Sequence, residues 1–199
     1  MSALLGPRTR TPAAEATPVP AAVRARMDGI SWYGADARCP RWDALAYVRA
    51  DHVTFDGVIA TGELVVAAAI ARPTIELLRR LYALGFPIRR MTLVDDFGAS
   101  DDASMAADNA SAFNFRLVAG TQLLSQHALG RAIDINPVEN PWRRPDRVVP
   151  DAGRAFLDRA HVRPGMFVRP GPVTRTLDEL GWTWGGDWMH AFDDHHLAR

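Results

Sequence analysis

The amino-acid sequence predicts a single α+β domain, and three observations support this class. The 199 residues are enough for one domain of ordinary size. Hydrophobic residues make up 48% and charged residues 23% of the chain, which is the balance of a globular protein. Strand-like and helix-like patterns are mixed without a regular β-α alternation and without an internal repeat, which favours α+β over a doubly wound sheet.

The folded region is predicted to begin near residue 30. Residues 1–29 are rich in Ala, Pro, Thr and Arg, so we expect a flexible arm there and one domain at residues 30–199. The first strand is expected at His52–Ile59, where Val, Phe and Ile are frequent. Gly62 then predicts a turn, and Leu64–Ala69 a second strand.

The next segment has the apolar spacing of an amphipathic helix. Pro73 fits the first turn of this helix and Gly85 its end. The remaining elements are expected to be three strands, two loops and two helices. In chain order they are the strand Ile88–Val94, the loop Gly98–Ser111 with a short helix, the strands Phe113–Val118 and Ala132–Ile135, the surface loop Asn136–Pro150, and the helices Ala152–Ala160 and Thr174–Leu180.

Charge and cysteine content exclude some functions. The 23 basic residues balance 23 acidic ones, which argues against general nucleic-acid binding because phosphate contacts need a basic surplus. A local basic patch at Arg143, Arg144 and Arg147 stays open beside the simpler interpretation of a solvated loop. The single cysteine, Cys39, can form no internal disulfide, and no catalytic signature surrounds it.

No apolar run reaches the ~20 residues of a transmembrane helix, and the start of the chain shows no signal peptide.

Two stretches carry groups suited to metal chemistry. In the first, His127 and Asp134 would converge if the chain turned at Gly130 and Asp134 lay on the following strand. Imidazole nitrogen and carboxylate oxygen are both zinc ligands. A surface histidine with an acid in a turn is the alternative, because this spacing alone is a weak signal.

The second stretch lies near the end of the chain. Asp193 and His196 are three residues apart, so one helical turn would place them on one face. His196 would then bind metal while Asp193 faced its water. Asp187 and His190 have the same spacing and offer a rival register, and the whole tail could also be a merely polar end.

Both stretches resemble motifs of the M15 peptidases, the D-alanyl-D-alanine carboxypeptidases and phage-type L-alanyl-D-glutamate endopeptidases. The first is Ser-x-His-x-x-Gly-x-Ala-x-Asp, formed by Ser125, His127, Gly130, Ala132 and Asp134. The second is Trp-Gly-Gly-Asp-Trp at residues 184–188 followed by Asp-x-x-His at residues 193–196. In this family the Asp-x-x-His pair follows Gly-Gly-Asp-Trp, which selects Asp193 and His196 over the rival register. Many relatives have Glu in place of Asp193.

The resemblance implies a hedgehog/DD-peptidase-like fold, with an antiparallel sheet bearing one zinc ion per chain and helices packed on one side. It implies His127, Asp134 and His196 as zinc ligands and Asp193 as general base and acid. Arg116, which resembles the family's carboxylate-binding arginine, and Ser104 are expected at the substrate.

The implied substrate is a peptidoglycan stem peptide, cleaved by an L-alanyl-D-glutamate-type endopeptidase. A D-alanyl-D-alanine carboxypeptidase and a zinc-bearing module that binds without cleaving are the alternatives. Such a substrate lies in the cell envelope or outside the cell. Oligomeric state is not indicated.

Overall fold

A computed structural model describes residues 3–189 and 191–199 of the chain. Within these residues the chain forms four α-helices: α1 (Ala21–Met27), α2 (Ala71–Leu84), α3 (Asp101–Ala106) and α4 (Pro172–Leu180). It also forms eleven short strands: β1 (Ala14–Pro18), β2 (Leu45–Val53), β3 (Ile59–Ala67), β4 (Arg90–Met91), β5 (Asn109–Ala110), β6 (Ala132–Asp134), β7 (Trp142–Arg144), β8 (Arg147–Val149), β9 (Thr183–Trp184), β10 (Phe192–Asp193) and β11 (His196–Ala198).

The strands form three antiparallel sheets and one parallel pair. The sheets have the orders β1-β2-β3, β10-β7-β8 and β6-β11-β9, and β4 pairs with β5 in parallel. The predicted α+β class with antiparallel pairing is therefore confirmed. The single sheet that the resemblance implied is replaced by three smaller ones, and the zinc-bearing hedgehog-like arrangement stays a prediction. Within the described residues, no helix is both long and apolar enough to cross a bilayer.

The β2–β3 hairpin corrects the first two strand predictions. Pairing runs from Leu45↔Ala67 to Val53↔Ile59, so the turn occupies residues 54–58 and not Gly62. Gly62 lies inside β3, paired with Ala50. A Cβ at this position would come within 2.5 Å of the Cβ of Met91, so only glycine fits. Its absent side chain serves close packing in the sheet, not a turn.

Helix α2 agrees with its prediction and forms one wall of the core. It ends at Gly85, which has a left-handed backbone (φ 68°) and lacks the Cβ that would make this conformation costly. Its buried face packs on β2 and beside α4. The rings of Phe86 and Phe167 stack at 5.0 Å between centroids and extend the same core. Ile133 of β6 and Leu197 of β11 are fully buried in it. The core thus anchors the sheet that carries Asp134 and His196.

The expected flexible arm is largely structured. β1 pairs antiparallel with β2, from Ala14↔Ala50 to Pro18↔Ala46. Val23 and Met27 of α1 are buried in a second apolar cluster with Leu45 and Val65. Residues 14–27 are thus packed against the rest of the fold, partly through apolar side chains at helical spacing. Their Ala- and Pro-rich composition had suggested a flexible arm instead. The placement of a peptidase domain at residues 30–199 remains a prediction.

Several other predicted elements differ in extent. The strand Ile88–Val94 shrinks to β4, and Phe113–Val118 forms no strand apart from one bridge between Leu117 and Leu124. The helix expected at Ala152–Ala160 is a 3₁₀ helix at Asp151–Phe156. By contrast, α4 agrees with the predicted helix, and its end at Gly181 is as expected.

Residues 136–150 are not simply a surface loop. They contain the β7–β8 hairpin, and Asn136 and Asn140 at their start are fully buried. The amide of Asn140 donates to the carbonyls of Ile135 and Gly165 and accepts from the backbone N–H of Phe167. Buried polar groups are retained where they are fully hydrogen-bonded. This segment therefore forms a rigid support directly after Asp134.

Candidate metal centre and active site

Three buried side chains direct donor atoms toward one point. His127 Nε2 lies 3.2 Å from Asp134 Oδ2 and 3.2 Å from His196 Nδ1, and His196 Nδ1 lies 3.1 Å from Asp134 Oδ1. Within the described residues this is the one group of three or more His, Cys, Asp or Glu with donor atoms close enough to hold a metal ion. The arrangement is the convergence that the two sequence motifs predicted.

Strand register brings Asp134 and His196 together. β6 and β11 are antiparallel, and the two residues are direct partners across the pair. Directly opposed residues on antiparallel strands project from the same face, about 5 Å apart at Cβ. On its other side, Asp134 exchanges backbone hydrogen bonds with Ser111. Two ligand candidates 62 residues apart are thus fixed by backbone pairing.

A tight turn brings His127 to the same point. His127 begins a 3₁₀ helix that ends at Gly130, whose left-handed backbone (φ 66°) reverses the chain toward β6. The carbonyl of Gly130 accepts the backbone N–H of Ala67, and a Cβ at Gly130 would lie 2.5 Å from that nitrogen. Only glycine combines this conformation with so close an approach. The turn predicted at Gly130 is therefore confirmed.

The donor set suits zinc. Four tetrahedral ligands at 2.0–2.1 Å from Zn²⁺ lie about 3.3 Å apart, close to the separations of these three atoms. His127 Nδ1 is 2.6 Å from the carbonyl oxygen of Ala112 and donates to it, so Nε2 is left with its lone pair for a metal. Two imidazoles and one carboxylate also leave the fourth position of a tetrahedral ion free, as in catalytic zinc sites.

Asp134 stays ionised although the cluster is buried. Burial disfavours an ionised carboxylate, yet the adjacent imidazoles hold the pKa of Asp134 well below its usual range. Burial likewise disfavours charge on His127, but Asp134 raises its pKa above the ordinary value. The Asp134 carboxylate is therefore stable in this closed environment because the neighbouring imidazoles are its partners.

A second pair, Asp193 and His195, adjoins this cluster. Asp193 Oδ1 lies 2.9 Å from His195 Nε2, which in turn is 3.9 Å from Asp134 Oδ2. His195 Nδ1 donates to the carbonyl of Asn140 at 2.8 Å, so the ring is fixed by the buried support after β6. Burial lowers the pKa of His195, but Asp193 and Asp134 outweigh it and raise the pKa to about 10.

Asp193 and His196 do not share a helix as the sequence suggested. Asp193 is the last residue of β10, a turn follows at residues 194–195, and His196 opens β11. The Gly-Gly pair of the second motif explains the close packing, because a Cβ at Gly185 would lie 2.9 Å from the Cβ of Asp193. Two short strands joined by a tight turn therefore place Asp193 beside the cluster that contains His196, where one helical turn had been expected to do so.

The comparisons with known proteins bear on this C-terminal segment. The sequence model of a family described as D-alanyl-D-alanine carboxypeptidase, of the M15 peptidases, matches residues 119–199. Over these residues the match supports an M15 family peptidase. No curated protein and no solved structure gives a significant match to the chain. All three clustered residues, His127, Asp134 and His196, lie within the matched part, and the M15 peptidases are metallopeptidases.

The rival register of the C-terminal tail is less favoured. Asp187 is half exposed and is bound 2.9 Å from Arg169 Nη2 at the surface. His190 lies outside the described residues. Asp194 is buried but is paired with Arg143 at 2.8 Å, and it faces the hairpin β7–β8. Of the acids in this tail, Asp193 is the one joined through His195 to the ligand cluster.

The two predicted substrate contacts have partners of their own. Arg116 Nη2 forms an ion pair with Asp101, at the start of α3. Ser104 is 1% exposed, and its hydroxyl accepts from the amide of Asn109 at 3.1 Å. The nearby Asp95 accepts the N–H of Ser31. Ser104 is therefore closed to a ligand in this arrangement, whereas Arg116 stays partly exposed.

Sequence reasoning undervalued His195 and did not identify Asp101. The sequence analysis assigned no role to His195, and its position beside Asp193 in the structure is what distinguishes it. Asp101 lies in a small polar stretch with no motif, so only its pairing with Arg116 reveals it. Trp188 lies half exposed, with its ring 5.4 Å from the ring of His196.

Proposed function

We propose that the protein is a zinc-dependent peptidase that hydrolyses an amide bond in peptidoglycan stem peptides. The observation that carries this proposal is the convergence of His127 Nε2, the Asp134 carboxylate and His196 Nδ1 within 3.2 Å of one another. The convergence lies inside the segment that matches the M15 family. The family supports peptidase chemistry on peptidoglycan, and the cluster supports the metal that this chemistry needs.

The proposed mechanism assigns proton transfer to Asp193. A zinc ion on His127, Asp134 and His196 would polarise the scissile carbonyl and lower the pKa of water to about 7. Asp193 takes the proton of the attacking water and passes it to the leaving amine. The Asp193 side chain is mostly buried, and one oxygen faces His195 at 2.9 Å.

His195 is proposed to position Asp193. Its Nδ1–H is held by the carbonyl of Asn140, which leaves Nε2 directed at the Asp193 carboxylate. A ring held by a hydrogen bond at Nδ1, with Nε2 in ion-pair contact with Asp193, limits the orientations of that carboxylate, and such positioning contributes to catalysis. Asp193 carries the proton in this scheme, and His195 aligns it.

An L-alanyl-D-glutamate-type endopeptidase fits the position of Arg116 better than a carboxypeptidase. A carboxypeptidase must bind the free carboxylate at the end of its substrate, and a guanidinium fork suits that task. Here the Arg116 fork is already paired with Asp101, so a terminal carboxylate would have to displace that acid. The carboxypeptidase stays the second candidate because the matching family is described by that activity.

Digestion of purified peptidoglycan, followed by mass spectrometry, tests the function and the bond together. The endopeptidase leaves fragments cut next to the glutamate, whereas the carboxypeptidase removes only terminal D-alanine. Both activities should vanish with chelator and return with added zinc. If the peptidoglycan stays uncut at full zinc occupancy, the peptidase proposal is overturned. A module that binds without cleaving, the third candidate, would then remain.

Arg116→Lys tests carboxylate recognition. If Arg116 binds a substrate carboxylate, the lysine variant should lose about 10-fold in kcat/KM, because one hydrogen bond to a charged group is lost although the charge stays. Zinc content, measured on the same sample, should not change. Equal activity of the two proteins would restrict Arg116 to its ion pair with Asp101.

A further inference from the structure

Two carboxyl groups meet in the protein interior, beside the segment that follows β6. Glu139 is 3% exposed and Asp108 is 7% exposed. The side chain of Glu139 is in hydrogen-bond contact with the carboxyl of Asp108. Two carboxylates only accept hydrogen bonds, so such a contact needs a proton on one of the two groups. We call Glu139 and Asp108 the acid pair.

The cations around the acid pair do not balance two negative charges. Arg89 Nε lies 3.5 Å from Asp108 Oδ2, and Arg89 Nη2 lies 3.8 Å from Glu139 Oε1. Arg159 donates to the backbone carbonyl of Glu139 at 2.7 Å, but its guanidinium also lies 3.9 Å from the carboxylate of Asp194. One guanidinium would thus face two carboxylates, and burial makes the remaining negative charge unfavourable. A proton on the pair removes this charge.

The contacts of the two carboxyls favour Glu139 as the acid that carries the proton. Asp108 Oδ1 accepts the backbone N–H of Val138 at 2.9 Å, and a hydrogen bond donated to a carboxylate stabilises its ionised form. Glu139 Oε2 is buried, and no N–H or O–H of the described residues donates to it. Burial, together with the adjacent Asp108, raises the pKa of Glu139 to about 8. At neutral pH, Glu139 is therefore the donor of the pair and Asp108 the acceptor.

The acid pair fixes the buried support after β6. Asp108 binds this support twice, through the N–H of Val138 and through the side chain of Glu139. The next residue, Asn140, accepts the Nδ1–H of His195 with its backbone carbonyl at 2.8 Å. The proton on Glu139 therefore helps to hold the residue that fixes the ring of His195.

We propose that the acid pair is a pH-sensitive switch, which keeps the buried support after β6 in place in neutral solution and releases it in alkaline solution. When Glu139 loses its proton to water, two buried carboxylates are in contact and repel each other. They separate only if Asp108 turns away or the support moves toward solvent, and either movement removes a hydrogen bond. Asn140 then no longer fixes His195. The switch needs neither zinc nor a peptide, so it stands apart from the proposed function.

The switch makes the stability of the fold decrease as the pH rises. The folded chain keeps a proton on Glu139 that the unfolded chain, with the ordinary glutamate pKa of 4.5, releases. The stabilising contribution of this proton is fully present below pH 4.5 and is lost as the pH rises to about 8. Between these two values, Glu139 should lower the folding equilibrium constant about 10-fold per pH unit, because the two states differ by one bound proton.

Infrared spectroscopy of the full chain tests the proton directly. At about pH 6, where ordinary carboxyls are ionised, the wild-type protein should show the C=O stretch of a protonated carboxyl. This band should disappear with a midpoint near pH 8. Glu139→Gln should lack the band, although its amide can still donate to Asp108. Glu179→Gln is the matched control and should keep the band, because Glu179 is an exposed glutamate that lies 3.7 Å from Arg80.

Denaturant unfolding at several pH values tests the coupling to stability. Below about pH 8, the wild-type protein should lose about 10-fold more of its folding equilibrium constant per pH unit than Glu139→Gln, and Glu179→Gln should behave like the wild type. Equal pH dependence of the wild type and Glu139→Gln would overturn the switch, as would a wild-type spectrum without the band. Should Glu139→Gln fail to fold, Asp108→Asn decides. Loss of the neighbouring charge should move the midpoint of the band to lower pH, and an unmoved midpoint would contradict the proposal.

Discussion

Asp193→Asn is expected to lower kcat by about 10²–10⁴-fold, the usual contribution of a general acid–base group. Asparagine keeps the size and polarity of the side chain but cannot accept the proton of water. KM should change little, because the carboxylate is proposed to act on the water and not on the peptide. Kinetics on a soluble stem peptide, with zinc content and melting temperature measured on the same sample, provide the check.

Asp187→Asn is the matched control for this variant. Asp187 carries the same charge in the same tail but is bound to Arg169 at the surface, so its loss should leave turnover nearly intact. Asp194→Asn is unsuitable, because it would remove the buried partner of Arg143 and destabilise the fold. Should Asp187→Asn abolish turnover with zinc intact while Asp193→Asn stays active, Asp193 is not the base.

Asp193→Glu examines the same position more finely. Many M15 relatives have Glu where this chain has Asp193. The backbone of Gly185 packs against Asp193, which leaves little room on that side for one more methylene. Partial activity would indicate that the added length extends toward the water, and not toward Gly185.

Loss of zinc is the second large effect. The wild-type protein should hold about one zinc per chain, and His127→Ala, Asp134→Ala and His196→Ala should each hold less than about one tenth of that. Loss of an outer hydrogen-bond partner alone weakens metal sites 10–100-fold, so loss of a ligand must exceed it. Metal analysis after dialysis measures this directly, and activity should fall in parallel.

His161→Ala is the control for the ligand variants. His161 is exposed and lies outside the cluster, so its replacement should leave zinc unchanged. Added zinc should restore chelator-treated wild-type protein but not the three ligand variants. If His190→Ala removes the metal and His196→Ala does not, His196 is not a ligand and the register of the tail must change.

The parts of the fold and of the site that depend on local patterns could be predicted from the sequence. The turn at Gly130 and the helix ended by Gly85 follow from glycine at positions that need a left-handed backbone. The pairing of Asp134 with His196 was expected only as convergence, since register across 62 residues has no local signal. The helical relation of Asp193 and His196 was wrong, because a three-residue spacing also fits two strands joined by a turn.

Long-range contacts also account for the errors elsewhere in the fold. Gly62 suggested a turn because the true requirement for glycine there has no local signal. The requirement is the close approach of Met91, which comes from a distant segment of the chain. The N-terminal segment looked flexible because β1 gains its hydrogen bonds only from β2. Asn140 lies in a segment with several prolines and arginines, which suggested a surface loop. Its burial depends on the backbone of Phe167, which the sequence does not place.

The cross-strand pair Asp134–His196 also has a consequence for the order of assembly. His127 and Asp134 are close in the chain, whereas His196 arrives only when β11 docks on β6. Closing so long a segment is entropically costly and slow compared with local turns. An incompletely folded chain would offer two ligands and hold zinc weakly, and the ion would stabilise only the docked state. Capture of the metal would therefore mark the end of folding, and zinc uptake kinetics would time the docking of β11.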